Sequence, residues 1–224
     1  MRRLLLTAAI GAILLSIAVS TLASPSLEGY TGLLLIPNAD SLAKGAFNVG
    51  YVNSDIDDHD LNNFFANYGL ETAPQSALEI GVNVSRLEDH GKNTYINGKF
   101  TFQKESLGKT GIAAGVIDAT GTTETTLYIV GSKVLVREPL RVFGGEVQNP
   151  RVSFGIGGGS IDGLFAGLSA GLGNRLTLMA EYDSENVNLG AKLFVYKGLA
   201  AEFGYMDVGG EDEAAIGCFY TVSF

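Results

Sequence analysis

The chain has no tryptophan, a single cysteine, five prolines and two histidines among 224 residues. A lone Cys218 cannot close an internal disulfide, so a disulfide framework is excluded as the source of stability. Basic residues are scarce as well, 15 Lys and Arg against 24 Asp and Glu, for a net charge of −9. Phosphate recognition rests on clustered Lys and Arg, so the balance disfavours nucleic acid, and no nucleic-acid partner is expected. Beyond the first 23 residues no apolar run approaches the roughly 20 residues of a spanning helix.

Against these absences stand 30 glycines and a hydrophobic fraction of 46%, with a mean hydropathy of +0.21. A Gly-rich chain that is apolar on average yet lacks long apolar runs fits strands that hide their hydrophobicity by alternation. The N-terminus reads Met1-Arg2-Arg3, then an apolar run from Leu4 to Ala23, then Ser24-Pro25. That order is a secretory signal with its cut after Ala23. A retained anchor helix is the rival, and either reading exports the protein. Without Arg2 and Arg3, 13 basic residues face 24 acidic ones, a formal charge of −11. About 200 mature residues make one unit. The chain divides into a signal peptide (1–23), an N-terminal periplasmic or plug-like segment (24–44) and an outer-membrane β-barrel (45–224).

The barrel is read from period-two patterning. Val187, Leu189, Ala191, Leu193 and Val195 alternate with Asn186, Asn188, Gly190 and Lys192, one greasy face and one polar. Leu164, Ala166, Leu168, Ala170 and Leu172 alternate with Phe165 and the small residues Gly167, Ser169 and Gly171. Similar segments give strands at 45–54, 60–71, 76–87, 93–104, 109–118, 123–136, 151–159, 163–172, 175–184, 186–197, 199–208 and 213–224. Most run about 9–12 residues, enough for a tilted strand to cross a bilayer and longer than the about 5–6 of a soluble sandwich. The fold class is therefore all-β, an antiparallel transmembrane β-barrel of about 12 strands. An even count puts the tight turns Gly173-Asn174 and Lys197-Gly198 on the periplasmic side. The stretch 137–150 also falls there and is long for that side, which keeps ten or fourteen strands open. The last strand sets Ala214, Ile216, Cys218, Tyr220, Val222 and Phe224 on one face. An ending with Tyr220, Val222 and Phe224 resembles the assembly signal read by the barrel-insertion machinery, although Phe219 stands where that pattern carries Gly.

The polar faces supply the candidate site. Asn63, Glu79, Asn83, Asn97, Lys99, Gln103, Glu181, Asn188, Lys192 and Glu202 point into the lumen, together with Asn67, Lys133 and Asp183. Glu79 with Lys99, and Lys192 between Glu181 and Glu202, form cross-strand ion pairs in this reading. Such residues line a narrow hydrophilic passage or fill the interior of a barrel that conducts nothing. Inward Phe65, Phe165 and Phe194 narrow the lumen, and Tyr51, Tyr68, Tyr182, Tyr205 and Tyr220 supply an outward girdle. His59 and His90 fall in predicted outer loops. Beside Asp57, Asp58 or Asp60 they mimic an aspartate–histidine hydrolytic site, against which stands the plainer reading of solvated loop histidines. Asp55, Asp57, Asp58 and Asp60 lack the glycine turn and distal glutamate of a calcium loop. The run Gly155 to Gly159 lacks the helix and Lys-Ser/Thr of a phosphate loop, so close strand packing or a bend accounts for it. The expectation is no catalytic residue, no metal and no cofactor.

Gly29-Tyr30-Thr31-Gly32-Leu33-Leu34-Leu35-Ile36-Pro37-Asn38-Ala39, followed by Lys44-Gly45, resembles the "G-x-x-G-L-x-x-x-P-x-A … G" entry of the YjbH family of outer-membrane barrels. Leu78-Glu79-Ile80-Gly81 resembles that family's "L-E-V-G" strand. Lys99, Lys104-Glu105-Ser106, Gly115 to Asp118, Tyr128 with Ser132-Lys133, and Ala180-Glu181-Tyr182-Asp183 follow in the family's order. The resemblance implies a short, single-barrel version of a family whose members are usually larger and are associated with exopolysaccharide production. It implies residence in the outer membrane of a Gram-negative-type envelope and, as partners, outer-membrane lipid, the barrel-assembly machinery, and polysaccharide or small polar solutes. The readings left by the sequence are a barrel supporting envelope or exopolysaccharide export, with or without a narrow channel, a non-conducting structural or adhesive barrel, and a membrane-embedded hydrolase.

Overall fold

The computed structural model describes residues 23–56, 59–87, 91–142, 145–210 and 213–223. Thirteen strands follow one another: β1 (Phe47–Ile56), β2 (His59–Ala73), β3 (Ser76–Leu87), β4 (Gly91–Gln103), β5 (Gly111–Ile117), β6 (Thr126–Val134), β7 (Leu140–Val142), β8 (Gly145–Gly158), β9 (Gly163–Leu172), β10 (Leu176–Tyr182), β11 (Val187–Tyr196), β12 (Leu199–Met206) and β13 (Glu213–Val222). Each of the twelve longer strands pairs antiparallel with two others of the twelve. Pairing of β1 with β13 and of β6 with β8 closes the sheet, so no edge is left unpaired in the wall. The alternation dictates this outcome: with one face apolar and the other polar, closure alone hides the polar face and satisfies every ladder.

The outward face is a belt of apolar side chains. Leu127, Ile216, Leu168, Phe154 and Phe64 each expose more than half of their surface. So much exposed apolar surface on one continuous face is the mark of a wall solvated by lipid. The chain is a transmembrane β-barrel. Tyr51, Tyr68, Tyr182 and Tyr220 stand on that outward face, and Tyr51 packs on Phe64 across the β1–β2 pair at 4.6 Å between ring centres.

The count of twelve wall strands holds, and the long connector explains itself. β7 pairs only with Gly145 to Val147 at the start of β8, while β8 continues between β6 and β9. The connector is thus a hairpin standing on the rim, not an extra pair in the wall. A register shift between Gln148 and Arg151, with Asn149 at φ +47°, marks where that hairpin bends into the barrel. Two sequence assignments need correction. His59, expected in a loop, opens β2 opposite Ile56. Lys133, expected in the lumen, is exposed on the outer face, because β6 turns Thr126, Tyr128, Val130 and Ser132 inward. Both faces of β6 carry apolar residues, so alternation there does not say which is inside.

Candidate functional site

The lumen is occupied by the chain itself. Residues 23–46 run inside the barrel ahead of β1, and Leu27, Leu33, Leu34, Ile36, Ala39 and Leu42 are all at most 3% exposed. All of these but Leu42 pack with inward residues of the wall, among them Phe65, Phe165, Tyr128 and Val130, as one core. The segment has no helix or ladder of its own beyond the single bridges Pro25 to Thr31 and Gly32 to Pro37. Irregular backbone at membrane depth is tolerated only if protein satisfies its polar groups. The polar lumen side chains do this.

Glu79, on β3, accepts from Thr31 N and Leu42 N, each at 2.9 Å, and from the Thr31 hydroxyl. Lys99, directly opposite on β4, donates to Thr31 O at 2.7 Å and lies 3.9 Å from Glu79. Glu181, on β10, accepts from Leu34 N at 3.0 Å and Leu35 N at 2.7 Å. Lys192, on β11, donates to Pro25 O at 2.7 Å. Asn63 and Asn83 donate to Leu27 O at 3.4 Å and Glu28 O at 2.6 Å, and Asn67 donates to Gly29 O. At the segment's far end Ala39 N donates to Ser132 Oγ at 2.9 Å, Thr101 Oγ1 donates to Ala39 O at 3.1 Å, and Arg151 grips Asp40 and Glu105. Five backbone N–H groups and six carbonyls of the segment are thereby taken by barrel side chains.

The remaining lumen candidates sit around this core. Asn97 donates to Asn83 Oδ1 at 3.1 Å and accepts from Asp118 N at 2.9 Å, tying the wall to the turn after β5. Asn188 donates to Glu181 at 3.4 Å and to Asp183 at 2.8 Å. Gln103 donates to Thr110 O at 2.6 Å across the β4–β5 turn and does not touch the segment. Glu202 faces Lys192 across the β11–β12 pair at 3.4 Å. Lys192 does not bridge to Glu181 as well: Glu181 stands opposite Asn188 in the register and is turned to the segment's amides. Sequence reasoning did not single out Thr101, Ser132, Arg151 or Asp40, because their partners are the segment's backbone or charges far away in sequence. Phe224, His90, Asp57 and Asp58, like residues 1–22, lie outside the described residues. Val222 and Tyr220 end β13 opposite Phe47 and Val49.

Glycines on the inner face make room for the segment. A methyl group on Gly167 would stand 2.6 Å from Leu33 and 2.8 Å from Ile36, and one on Gly190 would fall within Leu34. The space enclosed by Tyr30, Asn67, Glu79, Lys99 and Tyr128 holds no room for a water molecule. Away from the lumen, the turn after β5 is built on Asp118. Burial works against its ionisation, but hydrogen bonds from Thr120 Oγ1, Thr123 N and Thr123 Oγ1 outweigh that and hold the carboxyl well below the usual carboxylate range.

No protein-family model matches the chain, and no curated protein matches it in sequence. Among solved structures it is similar to the β domain of the Bordetella autotransporter Brka, with 12% identity and a TM-score of 0.39 over 80% of this chain and 99% of that one. It is also similar to a barrel from the de novo design of transmembrane β-barrels, with 14% identity and a TM-score of 0.28 over 81% of this chain and 98% of that one. The barrel assignment stands on the closed ladder and the apolar belt.

Proposed function

We propose that this protein is an outer-membrane barrel of a Gram-negative-type envelope, exported by its N-terminal signal and closed at rest by residues 24–44, which act as a plug. Its task in this reading is to support exopolysaccharide export, the role that the YjbH-like motifs suggest, with withdrawal of the plug as the step that opens a passage. One observation carries the closed state: eleven backbone groups of the plug are held by buried side chains of the wall. Hydrogen bonds to charged partners are worth about 1.5–3 kcal/mol each, so the four held by Glu79 and Glu181 on backbone amides alone make spontaneous release costly.

Secretion tests the export role. The expected result is that cells lacking the protein release less exopolysaccharide and that the wild-type gene restores it. Equal release with and without the protein would remove the export role and leave a non-conducting structural barrel, a reading that the filled lumen also favours.

A further inference from the structure

One part of the lumen is not filled by the plug. At the mouth where the plug begins and β13 ends, a cavity of about 630 Å³ opens between the plug and the wall formed by β11, β12 and β13. Its deep side chains are Phe194, Ala200 and Phe219 from the wall and Leu42 from the plug. One step deeper Lys192 and Glu202 form a buried pair and Lys192 holds the plug at Pro25 O, whereas at the mouth the inward positions are the apolar Phe194, Ala200 and Phe219. Among the described residues the only charged ones lining the cavity are Lys104 and Lys197, with no Asp or Glu, in a chain whose net charge is −9. Lys104 shares one carboxylate, Glu71, at 3.0 Å, and both partners are exposed. Lys197 makes no ion pair among the described residues. The volume falls within the about 300–1,000 Å³ of small-molecule sites, and an apolar floor below a few polar groups is their usual construction.

We propose that this mouth cavity binds a single-chain amphiphile with an anionic head, its alkyl chain against Phe194, Phe219 and Leu42 and its head between Lys104 and Lys197. The charge pattern selects the sign: a cationic head would meet two ammonium groups, and a neutral one would forgo both. Because Leu42 belongs to the plug and Phe194 and Phe219 to the wall, an occupant touches both.

The absence of tryptophan supplies the test. Ser223→Trp puts a single fluorophore at the cavity lip, and quenching by a brominated dodecanoate reads binding in the purified barrel. Saturable quenching is expected, weakened about tenfold by K104E/K197E and about equally by replacing the acid with the brominated alcohol of the same length. Should the double reversal fail to give a heat-modifiable barrel, K104Q/K197Q is read in its place. Quenching that does not saturate, that is unchanged by either pair of substitutions, or that is equal for acid and alcohol overturns the proposal. The assay reads binding alone, so its outcome is independent of the secretion experiment.

Discussion

Glu181 shows at the residue scale what the buried charges of this barrel do. No cation among the described residues stands within ion-pair distance of its carboxylate; two plug amides and Asn188 satisfy it instead. Glu181→Ala leaves Leu34 and Leu35 N–H without partners in a dry interior. A loss of about 3 kcal/mol of plug docking is expected, read as roughly 100-fold faster hydrogen exchange at those two amides. Unchanged exchange would mean that the plug is held elsewhere. Gly190→Val works from the neighbouring strand β11 by placing side chain where Leu34 sits. It expels the plug and makes residues 24–44 cleavable by added protease while the barrel stays heat-modifiable. Asp118 governs a different place, the turn 118–125. Its folded pKa lies below its unfolded value, so the stability it contributes is present above about pH 4 and is lost as pH falls below that range. Asp118→Asn at pH 7 should therefore reproduce the loosening of this turn that wild type shows only in acid, as measured by protection of the Thr123 amide.

At the scale of elements, alternation made the wall legible because facing is a local property: a strand with lipid on one side and protein on the other repeats every two residues. Ten of the lumen residues were readable on that basis, and so were the inward Phe65, Phe165 and Phe194. β6 shows where this fails, since apolar residues on both faces put Lys133 on the wrong side. The plug's contacts were not readable either. Its backbone has no period, and the side chains that hold it were read as partners for one another, as with Lys192 and Glu181. One signal pointed the right way: the small inward residues of β9 leave a deficit of volume that something else must fill, and Gly167 lies against Leu33 and Ile36. The β7–β8 hairpin is the converse case, a connector with no wall role. Deleting 139–146 should leave assembly and heat-modifiability intact, and loss of the folded band would show that the rim hairpin is needed to set the β6–β8 register.

For the whole molecule, closure and filling are coupled. Twelve strands enclose more interior than their own side chains occupy, and residues 23–46 supply the missing core, so the barrel is finished by the segment that precedes it in the chain. In the proposed function this segment shuts the lumen. Single-channel recording in a planar bilayer tests it most directly, comparing the mature barrel with a variant lacking 24–42. No current above the bare bilayer is expected for the complete chain, and stable, discrete conductance once the plug is removed. Steady conductance from the complete chain, equal to that of the deletion, would contradict it.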